Sequence, residues 1–307
     1  MQKLADLREP LVYIIIVNYY GRELLRKCLA SLKKTKYGNY RILVVDNGSK
    51  DGSVEMVRRE FPEVEVIALP KNFGYAKANN FGIVRALKHG AEYLVLLNND
   101  TEVLDPYWLY LAVKMMERHK DIGIMGFNLI LPNGRSQQYP DKAKPWEVDE
   151  ISFAATIISS QVFHSIGYLD PNYIIGYAED TDFCHRARNY GFKIAYIPQI
   201  KVFHMRQGTF KRIQHIVFMI SARNVFRWFV LNSSLCGFFK WFAMAFIGVR
   251  DKRIVLRNDM KRLKYFTYGF IFHIKECGFR GIIKLLVEGL RRRFHSMPHK
   301  HLMIELR

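Results

Sequence analysis

The chain has 307 residues, half of them hydrophobic, and a formal net charge of +19. That length and apolar content suffice for a large buried core, which excludes a disordered tail and a small scaffold held together by disulfides or metal. The charge is unevenly placed: residues 206–307 carry 21 Lys or Arg against 5 Asp or Glu, a net +16 that leaves +3 for residues 1–205.

A near-neutral module is therefore followed by a basic one. Basic, aromatic-rich sequence attracts the phosphates of nucleic acid or of anionic lipid, and charge alone does not separate the two. The four cysteines, Cys28, Cys184, Cys236 and Cys277, show no CxxC spacing, so neither a zinc site nor a disulfide framework is expected, and a reducing compartment fits.

The first apolar run, residues 11–17, lies behind Arg8 and Glu9 and is too short for a signal-peptide core, so it reads as a buried strand. A helix follows over 23–33, with Leu24, Leu25, Cys28, Leu29 and Leu32 at helical spacing. Strands are predicted at 41–45, 64–68 and 93–97, and helices at 53–61 and 75–89, the latter closed by Gly90. This alternation predicts an α/β fold with a mostly parallel, doubly wound sheet. Ligands of such sheets bind at the carboxyl ends of the strands. Asn18 and Tyr19, Asp46 to Ser49, Asn72, and Asn98 to Asp100 should therefore share one edge.

After residue 103 the rhythm changes. A helix at 108–119, a strand at 122–131 and a Pro132-Asn133-Gly134 turn lead into a polar, mobile loop at 135–150 containing Pro140 and Pro145. A strand at 151–159, helices at 160–166 and 180–190, and two short strands within 193–204 around Pro198 complete the module. Residues 228–249 are apolar and aromatic but interrupted by Asn232 and Lys240; residues 265–287 are interrupted by His273, Lys275, Glu276 and Arg280. Neither is a clean membrane span of roughly 20 uncharged residues. Interfacial helices fit the mixture of aromatics and cations, and a helical extension packed on the first module is the other reading.

Four clusters carry chemistry. Asp100 at a strand end is placed to hold Mg²⁺ or Mn²⁺, hard ions that take one or two carboxylates plus substrate phosphates; the same sequence also makes an Asx turn. Asp46 and Asn47 can accept from a base N–H or ribose hydroxyl, with Gly48 and Gly52 permitting close backbone approach, while Asp51 reads as a helix cap. Glu179-Asp180-Thr181-Asp182 opens a helix; Asp182 reads as a dipole partner, and a carboxylate here can also serve as a general base. His204 ends an apolar strand and bears on a metal only if it folds beside Asp100.

Together, residues 12–19, VVDNGSKDGS at 44–53, KNFGYAKANNFGI at 71–83, LLNND at 96–100 and IGYLDPNYIIGYAEDTDFCHRARNYGFKIAYIPQIKVFH at 166–204 resemble glycosyltransferase family 2, within it the rhamnosyltransferase-like group. Five motifs in the family's order over about two thirds of the chain are far more specific than any one. The resemblance implies a GT-A fold, a Rossmann-like, mostly parallel sheet flanked by helices, with a nucleoside diphosphate sugar donor, Mg²⁺ or Mn²⁺, and inversion at the anomeric carbon. Carried over by motif, Asn18, Asp46, Asn47, Asn72, Gly74, Lys77, Asn79 and Asn99 fall on the nucleotide side, with Asp46 at the base. Asp100 and His204 would hold the metal, Asp180 would be the base for the acceptor hydroxyl, and Glu179 would place the acceptor. Three positions depart from the family's pattern. The metal motif reads Asn-Asn-Asp where relatives carry more aspartates, Lys77 replaces an arginine, and Ala154-Ala155 and Ser159-Ser160 replace a glycine-rich start and a basic pair.

The expectation is a catalytic domain over 1–210 and a basic, amphipathic, helical membrane-associating region over 211–307. Its donor would be dTDP-rhamnose or a UDP-sugar and its acceptor a lipid-linked or membrane-proximal glycan, at the cytoplasmic face of a cell membrane, peripherally bound to anionic lipid. Nucleic acid is not expected as a partner, because long apolar runs accompany the charge. A catalytically silent module that binds nucleotide sugar or lipid is the alternative, and the presence of Asp100, Asp180 and His204 argues against it.

Overall fold

The computed structural model describes residues 8–139, 146–174, 176–206, 214–232, 268–271, 274 and 280–289. Four parallel strands, β1 (Val12–Asn18), β2 (Tyr40–Asp46), β3 (Glu65–Ala68) and β4 (Tyr93–Asn98), lie in the order β3-β2-β1-β4. Helices α1 (Arg22–Leu32), α2 (Ser53–Glu60) and α3 (Tyr75–Lys88) make the crossovers. Val12, Ile14 and Ile16 pack into one core cluster with Leu25 and Leu29 of α1, and Tyr13 and Ile15 into a second with Ala78 and Ile83 of α3. Burial on both faces is why β1 reads as an unbroken apolar run.

The second half of the sheet has mixed sense. β4 pairs antiparallel with β8 (Ala155–Ser159), which pairs antiparallel with β6 (Ile122–Ile130). β6 runs parallel to β9 (Lys193–His204), and the short β5 (Thr101–Val103) closes that edge antiparallel to β9. The remaining elements are α4 (Trp108–Arg118), β7 (Trp146–Glu147), α5 (Ser160–Ile166), α6 (Glu179–Asn189) and α7 (Gln214–Asn232).

Four local expectations change. β7 lies inside the predicted loop and pairs with β9. The strand expected from 151 starts only at Ala155, because Ser152 turns the chain, its hydroxyl accepting from Ala154 N and its carbonyl from Thr156 Oγ1. β9 is one strand whose pairing jumps from Phe127↔Ile197 to Asn128↔Lys201, so the residues around Pro198 are looped out, as a residue without an N–H requires. β5 has no counterpart among the predicted elements, and three residues are too few to show a period.

Asn80 of α3 does the work of a backbone ladder. Wholly buried, it donates to Leu169 O at 2.8 Å and accepts from Leu169 N at 3.1 Å. Asn80→Ala would strand both groups, at roughly 1–3 kcal/mol each. Urea unfolding should show a lower midpoint at unchanged slope.

Of the two C-terminal apolar stretches, residues 233–249 and most of 265–279 lie outside the described residues. α7 packs through Phe226, Val230 and Leu231 against Ile282 and Leu285. Among the described residues no helix is long and apolar enough to cross a membrane.

Candidate active site

The parallel register ends β1, β2 and β4 together, so Asn18, Asp46 and Asn98 reach one edge of the sheet. Asn18 Nδ2 donates to Asp46 Oδ2 at 2.9 Å, Asn99 Nδ2 to Asn18 Oδ1 at 2.7 Å, and Ser49 N to Asp46 Oδ1 at 2.8 Å. This series of bonds forms a buried polar floor. Beside it Asn47 Oδ1 accepts from Phe73 N at 2.8 Å, and Asn47 Nδ2 donates to Asn72 Oδ1 at 3.0 Å. Gly48 has φ +85°, and a Cβ there would sit 2.6 Å from the Lys71 backbone, so only glycine permits this approach.

The β5–β9 ladder brings a distant residue to the same edge. Thr101 pairs with His204 and Met205 N donates to Asp100 O at 2.9 Å, which sets His204 Nε2 at 3.3 Å from Asp100 Oδ1. His204 Nδ1 lies 2.6 Å from Gln137 Oε1. A carboxamide oxygen only accepts, so Nδ1 donates to Gln137 and Nε2 is the ring atom turned toward Asp100, the atom a metal-binding imidazole would offer.

Facing this pair across a cleft of about 520 Å³ is the start of α6, with Glu179 and Asp180. Glu179 is buried and its Oε2 has no partner. Burial, then the neighbouring Asp180 charge, pushes the Glu179 carboxyl up to about 8. Burial likewise pushes Asp180 up to about 6, opposed by the Thr181 N–H that its Oδ1 accepts at 2.8 Å. Two adjacent carboxyls are thus both raised above the ordinary carboxylate range, chiefly by burial, as acid–base work near neutral pH requires.

Asp100 and His204 supply two ligands, and among the described residues no group of three or more His, Cys, Asp or Glu is placed to hold a metal. A carboxylate beside an Nε2 lone pair, open to a cleft, fits a divalent cation whose shell is completed by oxygens of a bound diphosphate.

Residues 13–173, just over half of the chain, match the glycosyl transferase family 2 model. The chain belongs to glycosyltransferase family 2. It is 27% identical over 209 residues to the dTDP-rhamnosyl transferase RfbF of Shigella flexneri, covering 63% of this chain and 68% of that protein. It is also 27% identical over 233 residues to the uncharacterized protein y4gI of Sinorhizobium fredii, covering 65% of this chain but only a quarter (25%) of that longer one. The fold is similar to that of a mannosyltransferase from Pyrobaculum calidifontis solved with GDP-Man and Mn²⁺, at TM-score 0.56 and 16% identity over 95% of this chain and 78% of that one.

Within this family 2 chain, Asn47, Asn72, Asn99, Asp100, Glu179, Asp180 and His204 line the cleft. Asn18 and Asp46 lie beneath them as floor, and Gly74 opens α3. Lys77 and Asn79 are not brought to the wall: Lys77 Nζ sits 5.0 Å from the Phe73 ring centre, and buried Asn79 donates to Tyr75 O at 3.0 Å. Helix phase turns Asn79 inward. Asp182 lies in the first turn of α6, where its charge complements the helix dipole as read from the sequence, and it is buried and paired with Arg186 at 2.8 Å. The cleft adds Tyr20, Tyr75, Gln137, Ser152, Tyr177 and Arg206, none of which sequence reasoning selected. Gln137 sits in irregular chain, and only its contact with His204 reveals it. Cys28 and Cys184 are buried free thiols.

Because Gln137 fixes the His204 tautomer, Gln137→Ala should weaken Mn²⁺ retention by about 10–100-fold. Electron paramagnetic resonance titration of Mn²⁺ in the presence of a nucleoside diphosphate reads this directly; unchanged affinity would remove Gln137 from the metal's support.

Proposed function

We propose that this chain transfers a sugar from a nucleoside diphosphate sugar to a lipid-linked or membrane-proximal glycan acceptor, with inversion at the anomeric carbon. The observation that carries this is the pairing, in one cleft, of Asp100 beside His204 with the buried carboxyls Glu179 and Asp180. The Asn47–Asn72 wall and the Asp46 floor take the nucleotide. Asp100 and His204 would hold Mg²⁺ or Mn²⁺, whose charge stabilises the departing diphosphate. Asp180 removes the acceptor hydroxyl proton while that oxygen attacks the carbon on the face opposite the diphosphate, which inverts it. Glu179, its carboxyl pushed up by burial beside Asp180, orients the acceptor through a hydrogen bond.

Similarity to the dTDP-rhamnosyl transferase of Shigella flexneri favours dTDP-rhamnose as donor over a UDP-sugar, and polysaccharide assembly is the setting in this reading. Support for a peripheral position at the cytoplasmic face of a membrane comes from the sequence: the net +16 after residue 205 is interleaved with aromatics and includes the run Arg291-Arg292-Arg293. In this reading residues 1–210 carry the donor site and 211–307 attach to anionic lipid.

The test combines the full chain, Mn²⁺, a panel of nucleoside diphosphate sugars and a membrane glycolipid extract, with and without EDTA. Turnover of one donor that EDTA abolishes is expected. Donor binding without turnover would indicate the silent binding module. Flotation with anionic but not neutral vesicles is expected in parallel, and equal flotation with both, or with neither, would remove the membrane assignment.

A further inference from the structure

The family match ends at residue 173, yet the loop that follows, and delivers Glu179 and Asp180, is gripped by a helix beyond residue 210. Asn224 of α7 is wholly buried, and its Nδ2 donates to Gly176 O at 2.8 Å and to Ile174 O and Tyr177 O at 3.1 Å each. Arg223 donates to Asn172 O. Buried Arg227 reaches Asp170 Oδ2 at 2.7 Å and Glu288 Oε1 at 2.9 Å, so residues 280–289 brace the contact from behind. Asn224 and Arg227 are three apart and share one face of α7. Asn232, two turns beyond Asn224, donates to Asp182 Oδ1 at 3.3 Å, inside the catalytic helix itself.

The gripped loop needs holding. Tyr177 and Ala178 have φ of +77° and +69°, conformations costing on the order of 1–3 kcal/mol each in non-glycine residues, which persist only when surroundings over-determine them. They turn the carbonyls of 174, 176 and 177 onto Asn224 and so aim the next two residues at the cleft. Ala178 is also the N-cap of α6 and offers no side-chain cap, which leaves the Asp180–Thr181 N bond as the side-chain hold within the first turn. Opening the loop would let two buried carboxyls hydrate, so the local bias is toward opening.

We propose that α7 is part of the catalytic unit, with Asn224 and Arg227 as positioning residues that hold residues 170–174 and 176–178 so that Asp180 meets the acceptor hydroxyl. This rests on the reading of Asp180 as the base. It gives the C-terminal region a second task beside lipid attachment. Sugar transfer then depends on where α7 sits, while nucleotide binding, built on β1, β2 and α3, does not.

The test uses the full chain. Asn224→Asp keeps size but removes the NH₂ donor and sets a carboxylate against three carbonyls. A fall in kcat on the order of 100-fold is expected, since small misplacement of a reacting group costs that much, with donor KM and nucleotide binding unchanged. Hydrogen exchange should accelerate at 170–182 and stay as in the parent chain in β1 and α3. Arg227→Lys keeps the charge but not the forked reach, and should show a smaller kcat loss of the same kind; it carries the test if Asn224→Asp fails to fold. Faster loop exchange with unaltered kcat would overturn the positioning role, and unchanged loop exchange would overturn the grip. A parent chain that transfers no sugar from any donor overturns the function reading instead. Fast exchange in the variant then leaves α7 as a purely structural hold.

Discussion

Asp180→Asn lowers kcat by about 10²–10⁴-fold and leaves nucleotide sugar and Mn²⁺ binding in place. Asn has nearly the shape of Asp and can still accept from Thr181 N, so the start of α6 is preserved while the proton acceptor is lost. The parent chain supplies an independent check. Burial has pushed the Asp180 carboxyl up to about 6, and a base works only when deprotonated, so kcat/KM should rise with pH through an acidic limb near that value. A carboxylate at its ordinary value would place the limb at about pH 4. Because Glu179 and Asp180 titrate against each other, the limb belongs to the pair, and Asp180→Asn should abolish it. Parental kcat in the Asp180→Asn variant would assign the proton to another group.

Asp100→Ala is expected to abolish Mn²⁺ retention in the nucleotide complex and to reduce turnover by roughly 10²–10⁴-fold, the equivalent of several kcal/mol of lost charge stabilisation. The fold should survive. The ladder that closes this edge uses main-chain groups, Met205 N to Asp100 O and the Thr101↔His204 pair, none of which needs the Asp100 side chain. The two variants thus separate the halves of the cleft: one keeps the metal signal and loses proton transfer, the other loses the metal signal. If Asp100→Ala transfers sugar at the parental rate in EDTA, the metal assignment fails whatever Asp180 does.

Much of this was legible in the chain. The apolar runs at 12–17, 42–45 and 93–97 sit between helices on both faces, so burial wrote them as continuous apolar strands, and Asp46 and Asp100 followed as the polar residues at or just after their ends. Local pattern also placed Glu179 and Asp180 at a helix start. The same pattern did not separate the roles of the two buried neighbours Asn79 and Asn80, because whether a side chain meets its own helix or the backbone at Leu169 depends on how α3 packs.

Short-range periodicity thus accounts for the parallel half of the sheet, the edge where ligands bind and the chemical types gathered there. Long-range packing was needed to turn His204 toward Asp100, to set its tautomer through Gln137 and to close α7 on the loop before Asp180. Each of these depends on register or packing between residues 48 (Gly176–Asn224), 67 (Gln137–His204) or 103 (Thr101–His204) apart in the chain, and no local spacing records it.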